Sequence, residues 1–288
     1  MTTQTTTRSL AGTQIYPIGL GAMPMSLAGR PDEAQSIRTI HAALDAGANL
    51  IDTADAYCRD ESEVGHNERL IAKAIRDRRD GVIVATKGGH TRPGGDWDLD
   101  GSPAHLRAAC EASLRALETD RIDLYQYHRP DPRVPYAESV GALKELQDEG
   151  KIRWIGLSNV NVEQLEEALG IAEIVAIQNQ LSLEFTSPLT KGEVQAATER
   201  GIAFLPWSPL GGIGNAESPG GVNPVKQAAE RHGVSPQQVA LAWLLSLGPT
   251  VIPIPGASRP ETITDSLKAA RLELMPEELE AIAEAAGA

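Results

Sequence analysis

The chain has 288 residues, 41% of them hydrophobic and 23% charged, a balance that supports a sizeable buried core and excludes disordered, collagen-like and coiled-coil chains. With 26 lysines and arginines against 39 aspartates and glutamates the formal charge is −13, so no broad positive field draws nucleic acid or anionic lipid, and a phosphate-bearing ligand has to be held locally. Two cysteines, Cys58 and Cys110, suit free thiols in a reducing compartment, and the polar start from Met1 to Leu10 together with the lack of a long apolar run predicts a cytoplasmic chain with no membrane span.

In chain order, short β-rich apolar runs alternate with amphipathic helical patterns. The predicted strands are Tyr16–Gly19, Asn49–Asp52, Val82–Thr86, Ile122–Tyr127, Ile152–Leu157, Ile174–Gln178, Ile202–Pro206 and Thr250–Pro253. Between them, Leu70, Ile71, Ala74 and Ile75 share one helical face, as do Leu106, Ala109, Cys110, Ser113, Leu114 and Leu117. Ser102 before Pro103 and Ser235 before Pro236 read as helix caps, with Gln238 completing a capping box, and Gly150 and Gly170 read as stops. The Gly-rich stretch Gly211–Asn223 reads as a loop before an extra helix. Alternating β/α units with no linker long enough to separate a second domain predict a single α/β domain over residues 1–288, a closed (β/α)₈ TIM barrel. An open doubly wound sheet is the alternative, but Gly19-Leu-Gly-Ala-Met-Pro24 lacks the third glycine of a phosphate fingerprint and reads as a tight turn.

In a barrel the reacting groups come from the carboxyl ends of several strands, where side chains converge under the loops. Those positions hold Asp52 with Tyr57 just beyond it, Lys87, His128, Ser158 with Asn159, Gln178, and Trp207 with Ser208. Asp52 and Lys87, on neighbouring strands, would hold each other charged, which serves a structural ion pair as well as a catalytic one. Tyr57 tips the balance. A phenol with an ordinary pKa near ~10 exchanges protons at neutral pH only when a cation stabilises the phenolate. Such a charge about 4 Å away, at an effective dielectric of ~20, is worth up to roughly 4 kcal/mol, or about three pKa units. Lys87 is therefore expected to bring Tyr57 down toward working pH. His128 beside it could donate to a carbonyl oxygen. The remaining histidines have no ligand spacing, so no metal site is expected.

Asn49-Leu-Ile-Asp-Thr-Ala-Asp-Ala-Tyr57, Ala85-Thr-Lys-Gly88, Leu124-Tyr-Gln-Tyr-His-Arg-Pro130, Ile155-Gly-Leu-Ser-Asn159 and Leu205-Pro-Trp-Ser-Pro-Leu210, in this order and across nearly the whole chain, resemble the aldo-keto reductases, most of all their bacterial oxidoreductase-type members. The resemblance implies a catalytic tetrad of Asp52, Tyr57, Lys87 and His128, with Tyr57 as general acid. It also implies a nicotinamide dinucleotide, NADPH with NADH possible, stretched across the barrel mouth. Ser158, Asn159 and Gln178 would bind the carboxamide, Trp207 would stack on the nicotinamide, and Ser208 and Leu210 would meet the pyrophosphate. Gly256, Ser258 and Arg259 fall in the loop toward the adenosine 2′-phosphate. There the chain departs from the family pattern, with Gly256 in place of a lysine, Thr262 in place of an arginine, and Asp265 with Ser266 in place of a Glu-Asn pair. The implied reaction is reduction of an aldehyde or ketone to the alcohol. Two rival readings stand beside it: a lyase forming a Schiff base on Lys87, and a cofactor-binding regulatory barrel with little turnover. Met23, Met25, Trp97 and Tyr57 are candidates for an apolar pocket wall. Substrate identity, the choice between NADP and NAD, and oligomeric state are left open.

Overall fold

The computed structural model describes residues 7–212 and 223–288, so residues 213–222 of the predicted Gly-rich loop lie outside the described residues. Seven parallel strands form one curled sheet: β1 (Leu20–Gly21), β2 (Leu50–Asp52), β3 (Ile83–Gly88), β4 (Ile122–Tyr127), β5 (Ile152–Ser158), β6 (Ile174–Gln178) and β7 (Ala203–Phe204), adjacent in that order. The sheet closes through the segment after Thr250. Ile252 N–H donates to Phe204 at 2.8 Å and Ile254 N–H to Pro206 at 3.2 Å on one side. On the other side Gly19 and Gly21 donate to the carbonyls of Pro253 and Pro255, each at 2.9 Å. The result is a (β/α)₈ barrel.

Two predicted strands are not regular strands in the structure, both because of proline, and a third, Ile202–Pro206, shortens to Ala203–Phe204. Thr250–Pro253 closes the barrel by isolated bridges, since Pro253 and Pro255 offer carbonyls but no N–H, and half the ladder cannot form. At the other end, Tyr16–Gly19 contains Pro17, and regular pairing starts only at Leu20. Gly21 is required where these edges meet: a Cβ there would lie 2.8 Å from the Ile254 carbonyl oxygen.

Side chains alternate across each strand. Ile51, Val84, Tyr125, Ile155 and Ile177 face the helices, in a shell that also takes Leu70, Ile71, Ala74, Leu106 and Cys110 from the predicted helical faces. Leu50, Ile83, Ala85, Leu124, Trp154, Ala176, Ala203, Leu205, Ile252 and Ile254 fill the interior instead. A hairpin, Arg8–Leu10 with Thr13–Ile15, adds Leu10 and Ile15 to this interior cluster. Continuing the same two-residue period toward the strand ends places Asp52 above Leu50, Lys87 above Ala85, His128 above Leu124 and Gln126, and Gln178 above Ala176. Apolar filling below thus hands over to polar groups above without any change of face.

Both predicted serine caps form, Ser102 accepting from His105 N–H and Ser235 from Gln238 N–H. The capping box expected at Ser235 is only half made: the Gln238 side chain turns to Asp265, its Nε2 donating to Oδ1 at 2.6 Å, and its oxygen does not accept from the Ser235 N–H. Both cysteines are free and buried, and burial pushes their thiols up, Cys58 to about 11 and Cys110 to about 12. Among the described residues no helix is long and apolar enough to cross a membrane.

Candidate active site

The Lys87 ammonium is fully buried and fully partnered. It donates to Asp52 Oδ1 at 2.7 Å, to the Thr53 carbonyl at 2.8 Å and to the Tyr57 hydroxyl at 3.1 Å. Burial works against its charge, but Asp52 and Tyr57 outweigh it and raise its pKa. Asp52 is held in turn from its other oxygen, which accepts from Gln178 Nε2 at 2.7 Å and from Gln126 Nε2 at 3.3 Å. Gly156 makes room for this arrangement: a Cβ there would sit 2.9 Å from the Gln126 side chain. Tyr57 comes from the loop after β2, and its ring meets that of His128 edge-on, with centroids 5.7 Å apart. Asp52, Tyr57, Lys87 and His128, predicted together, are therefore brought together.

The expected acidity of Tyr57 is corrected. Lys87 does pull its pKa down, but burial is the larger effect, and the net shift is upward. A phenol 7% exposed has lost the water that would solvate its anion, and one ammonium at 3.1 Å does not replace it. The proton consequently stays on Tyr57 through neutral pH. His128 moves the opposite way: burial first, then the charges of Lys87 and its neighbours, hold its pKa well below the usual imidazole range. It is a neutral ring with one N–H to donate.

Asp52, Tyr57 and His128 floor a cavity of about 900 Å³ at the barrel mouth, with Lys87 beneath it. Ser158, Asn159, Gln178, Trp207, Ser208, Leu210, Gly256, Ser258, Arg259 and Thr262 all line it. They are already tied to one another. Ser158 Oγ donates to the Gln178 carbonyl at 2.8 Å, the Asn159 amide donates to the His128 carbonyl at 3.0 Å, and Trp207 Nε1 donates to Asn159 Oδ1 at 3.2 Å. Asn159 and Ser208 carry left-handed backbones, φ 60° and 49°, at two points of the rim. Asp265 takes no place in the lining, since its two oxygens accept from Ser235 and Gln238 at the start of the helix Pro236–Ser246. Met23 and Trp97 line the cavity with Tyr57, whereas Met25 belongs to the core under the helices.

Four participants escaped the sequence reading. Gln126 was legible, because it shares the interior face of β4 with Leu124 and His128. His90, whose ring lies 4.3 Å from that of His128, and Arg129 both lie beyond regular strand positions that a period could flag. The fourth is Asp55, buried on the same loop as Tyr57, whose carboxyl is pushed well above the carboxylate range by burial and by neighbouring Glu68. A carboxyl raised in the folded state stabilises fully below its unfolded pKa of about 3.9, and that contribution is lost as pH rises through the folded value. Asp55→Asn keeps an acceptor for the Ala56 N–H, bonded at 2.6 Å. It is expected to melt above the parent at about pH 8 and by less at about pH 5, each unit of pKa difference being worth about 1.4 kcal/mol and on the order of 2–4 °C. Thermal melts across pH check this; an advantage that does not grow with pH would assign the titration to another group.

The model of the Aldo/keto reductase family matches residues 17–286. The chain belongs to this family. It is 34% identical over 304 aligned positions to a probable aldo-keto reductase of Glycine max, covering 95% of this chain and 86% of that one. Among solved structures, the glycerol dehydrogenase of Gluconobacter oxydans superposes with a TM-score of 0.82 at 29% identity, covering 97% of this chain and 94% of that one. An aldo-keto reductase of Klebsiella pneumoniae, solved in complex with NADPH, superposes with a TM-score of 0.81 at 26% identity, covering 98% and 95%. The chain is accordingly an oxidoreductase, built on the barrel common to these reductases.

Proposed function

We propose that this reductase converts a small aldehyde or ketone to the alcohol with NADPH, or less readily NADH, and that Tyr57 is the proton donor. NADPH, when bound, supplies the hydride. The lining fits such a group: a half-buried indole face at Trp207, amide and hydroxyl groups at Ser158, Asn159 and Gln178, and the backbone around Ser208 and Leu210. Gly256, Ser258 and Arg259 at the far end would take the adenosine phosphate, and a Cβ on Gly256 would press to 3.0 Å on the neighbouring Pro24.

The observation that carries the reading is the chain of contacts Asp52–Lys87–Tyr57, at 2.7 and 3.1 Å. A carbonyl oxygen presented to Tyr57 and His128 would accept two hydrogen bonds that strengthen as negative charge develops on it, which stabilises the transition state more than the substrate. Tyr57 then releases its proton to the alkoxide, and the adjacent Lys87 ammonium stabilises the phenolate left behind. The charged, triply bonded state of Lys87 speaks against a Schiff base, which needs a neutral amine.

The test is a panel of aldehydes and ketones followed at 340 nm with NADPH and NADH in parallel. Consumption of reduced cofactor dependent on carbonyl, faster with NADPH, is expected. Tight cofactor binding with no turnover on any carbonyl would favour the regulatory reading, and borohydride trapping of a substrate on Lys87 would favour the lyase. Arg259 bears on cofactor choice as well. Its guanidinium has Glu261 3.6 Å away, which offsets some of the charge offered to a 2′-phosphate. Glu261→Gln is expected to tighten NADP⁺ about threefold or more while leaving NAD⁺ nearly unchanged, read by fluorescence titration; equal effects on both would remove Arg259 from the phosphate site.

A further inference from the structure

We infer that Arg129 makes this site selective for carbonyl compounds bearing an anionic group, a carboxylate or a phosphate, at the end away from the carbonyl; the inference rests on the reductase reading above. The charges around the cavity carry it. Among the described residues the lining contains three charged ones, Asp52, Arg129 and Arg259. Asp52 is neutralised by Lys87, and Arg259 has Glu261 at 3.6 Å. Among the described residues Arg129 makes neither a hydrogen bond nor an ion pair, and burial alone moves its pKa, downward, with no carboxylate to offset it. In a chain of net charge −13, an arginine at the rim of the main cavity with no acidic partner is a positive charge left for something else.

Its position assigns that charge to the substrate. Arg129 directly follows His128 at the end of β4, whereas Arg259 belongs to the loop after the closing segment, which the strand order places across the barrel. The guanidinium thus stands at the reacting end. The wall beside it is built from His90, with its ring 4.3 Å from that of His128 and 5.2 Å from that of Trp97. Both imidazoles are kept neutral by burial, with the charge of Arg129 adding to the effect. Among the described residues the substrate end therefore offers neutral donors, an exposed indole, one planar cation and no carboxylate without a counter-charge. A guanidinium fork pairs with a carboxylate or phosphate through two parallel charge-assisted bonds. Arg129 is only partly withdrawn from solvent, so the pairing must weaken with salt.

The experiment compares 4-carboxybenzaldehyde with its neutral methyl ester and with 4-formylphenyl phosphate, in the parent, Arg129→Met and Arg129→Lys. In the parent, kcat/KM for the acid is expected to exceed that for the ester by about tenfold or more, mainly through KM, and the ratio should shrink in about 0.5 M salt. Arg129→Met brings the acid-to-ester ratio to about one, and Arg129→Lys restores some of it. Binding of 4-(hydroxymethyl)benzoate, measured by calorimetry on the same proteins, is expected to weaken about fivefold or more in Arg129→Met. The faster of the two anionic aldehydes identifies the group. Equal acid-to-ester ratios in the parent and Arg129→Met overturn the inference while leaving the reductase reading intact. If no carbonyl turns over, calorimetry decides alone: a difference between parent and variant upholds the anion site and removes the reductase reading, and equal binding removes both.

Discussion

Tyr57→Phe is expected to lower the turnover of carbonyl reduction by about 10²–10⁴-fold, the range for loss of a positioned general acid, or about 3–5 kcal/mol in the barrier. NADPH affinity should stay within about threefold of the parent, a difference under about 0.7 kcal/mol. The two effects separate because the hydroxyl meets Lys87 at 3.1 Å while Trp207, Ser158 and Asn159, the groups that would hold the nicotinamide, are tied to one another and to His128 and Gln178, not to Tyr57. Removing one oxygen atom leaves that cluster intact. Initial rates and a cofactor-fluorescence titration on the same preparation measure both quantities; turnover within a few-fold of the parent would take the general-acid role from Tyr57. The pH dependence adds an independent check. A general acid works below its pKa, and that of Tyr57 is raised; the cation beside it is also raised and stays charged, and His128 stays neutral because its pKa is lowered. Reduction by the parent should therefore be nearly level from about pH 6 to about pH 9, with a decline only at more alkaline pH, where Tyr57 gives up its proton.

The limits of legibility follow from which forces leave a periodic trace. Alternation does: Leu50 and Asp52, Ala85 and Lys87, Leu124 and His128 could be assigned to one interior face from spacing alone, and the tetrad emerged because each polar residue ends an apolar run. Gln126 sits on the same face and was equally readable, yet an amide inside a strand reads as outward-facing until the carboxylate it serves, Asp52, is known to lie close by across the barrel interior. Proline also leaves a trace, and Ile252-Pro-Ile-Pro255 announces that its strand can pair fully on one side only. Desolvation leaves none. The expected fall in the pKa of Tyr57 counted a neighbouring charge that is present and could not count the water that is missing. His90, in the two-residue strand His90–Thr91, and Arg129, in the loop after β4, belong to the same blind spot, since their place at the cavity depends on tertiary closure of segments too short or irregular to show a period.

Lys87→Met tests the other half of the arrangement and should be the most destabilising single change at the site. It strands the Asp52 carboxylate, 3% exposed, with two amide donors and no cation. Removing one partner of a buried pair typically costs about 3–5 kcal/mol, which for a chain of this size is on the order of 6–15 °C in melting temperature. Turnover should fall along with it, because the phenolate of Tyr57 would lose the charge that stabilises it. Loss of activity alone could reflect a damaged fold, so the double variant Asp52→Asn with Lys87→Met separates the two causes. The amide introduced by Asp52→Asn can still accept from Gln178 through its oxygen, and no buried charge is left without a counter-charge. The double variant is expected to recover most of the lost melting temperature and none of the lost turnover. Recovery of turnover would mean that Lys87 serves only to neutralise Asp52; failure to recover stability would mean that the cost of Lys87→Met lies in the lost packing of its stem and in the bond to the Thr53 carbonyl at 2.8 Å, not in the stranded carboxylate.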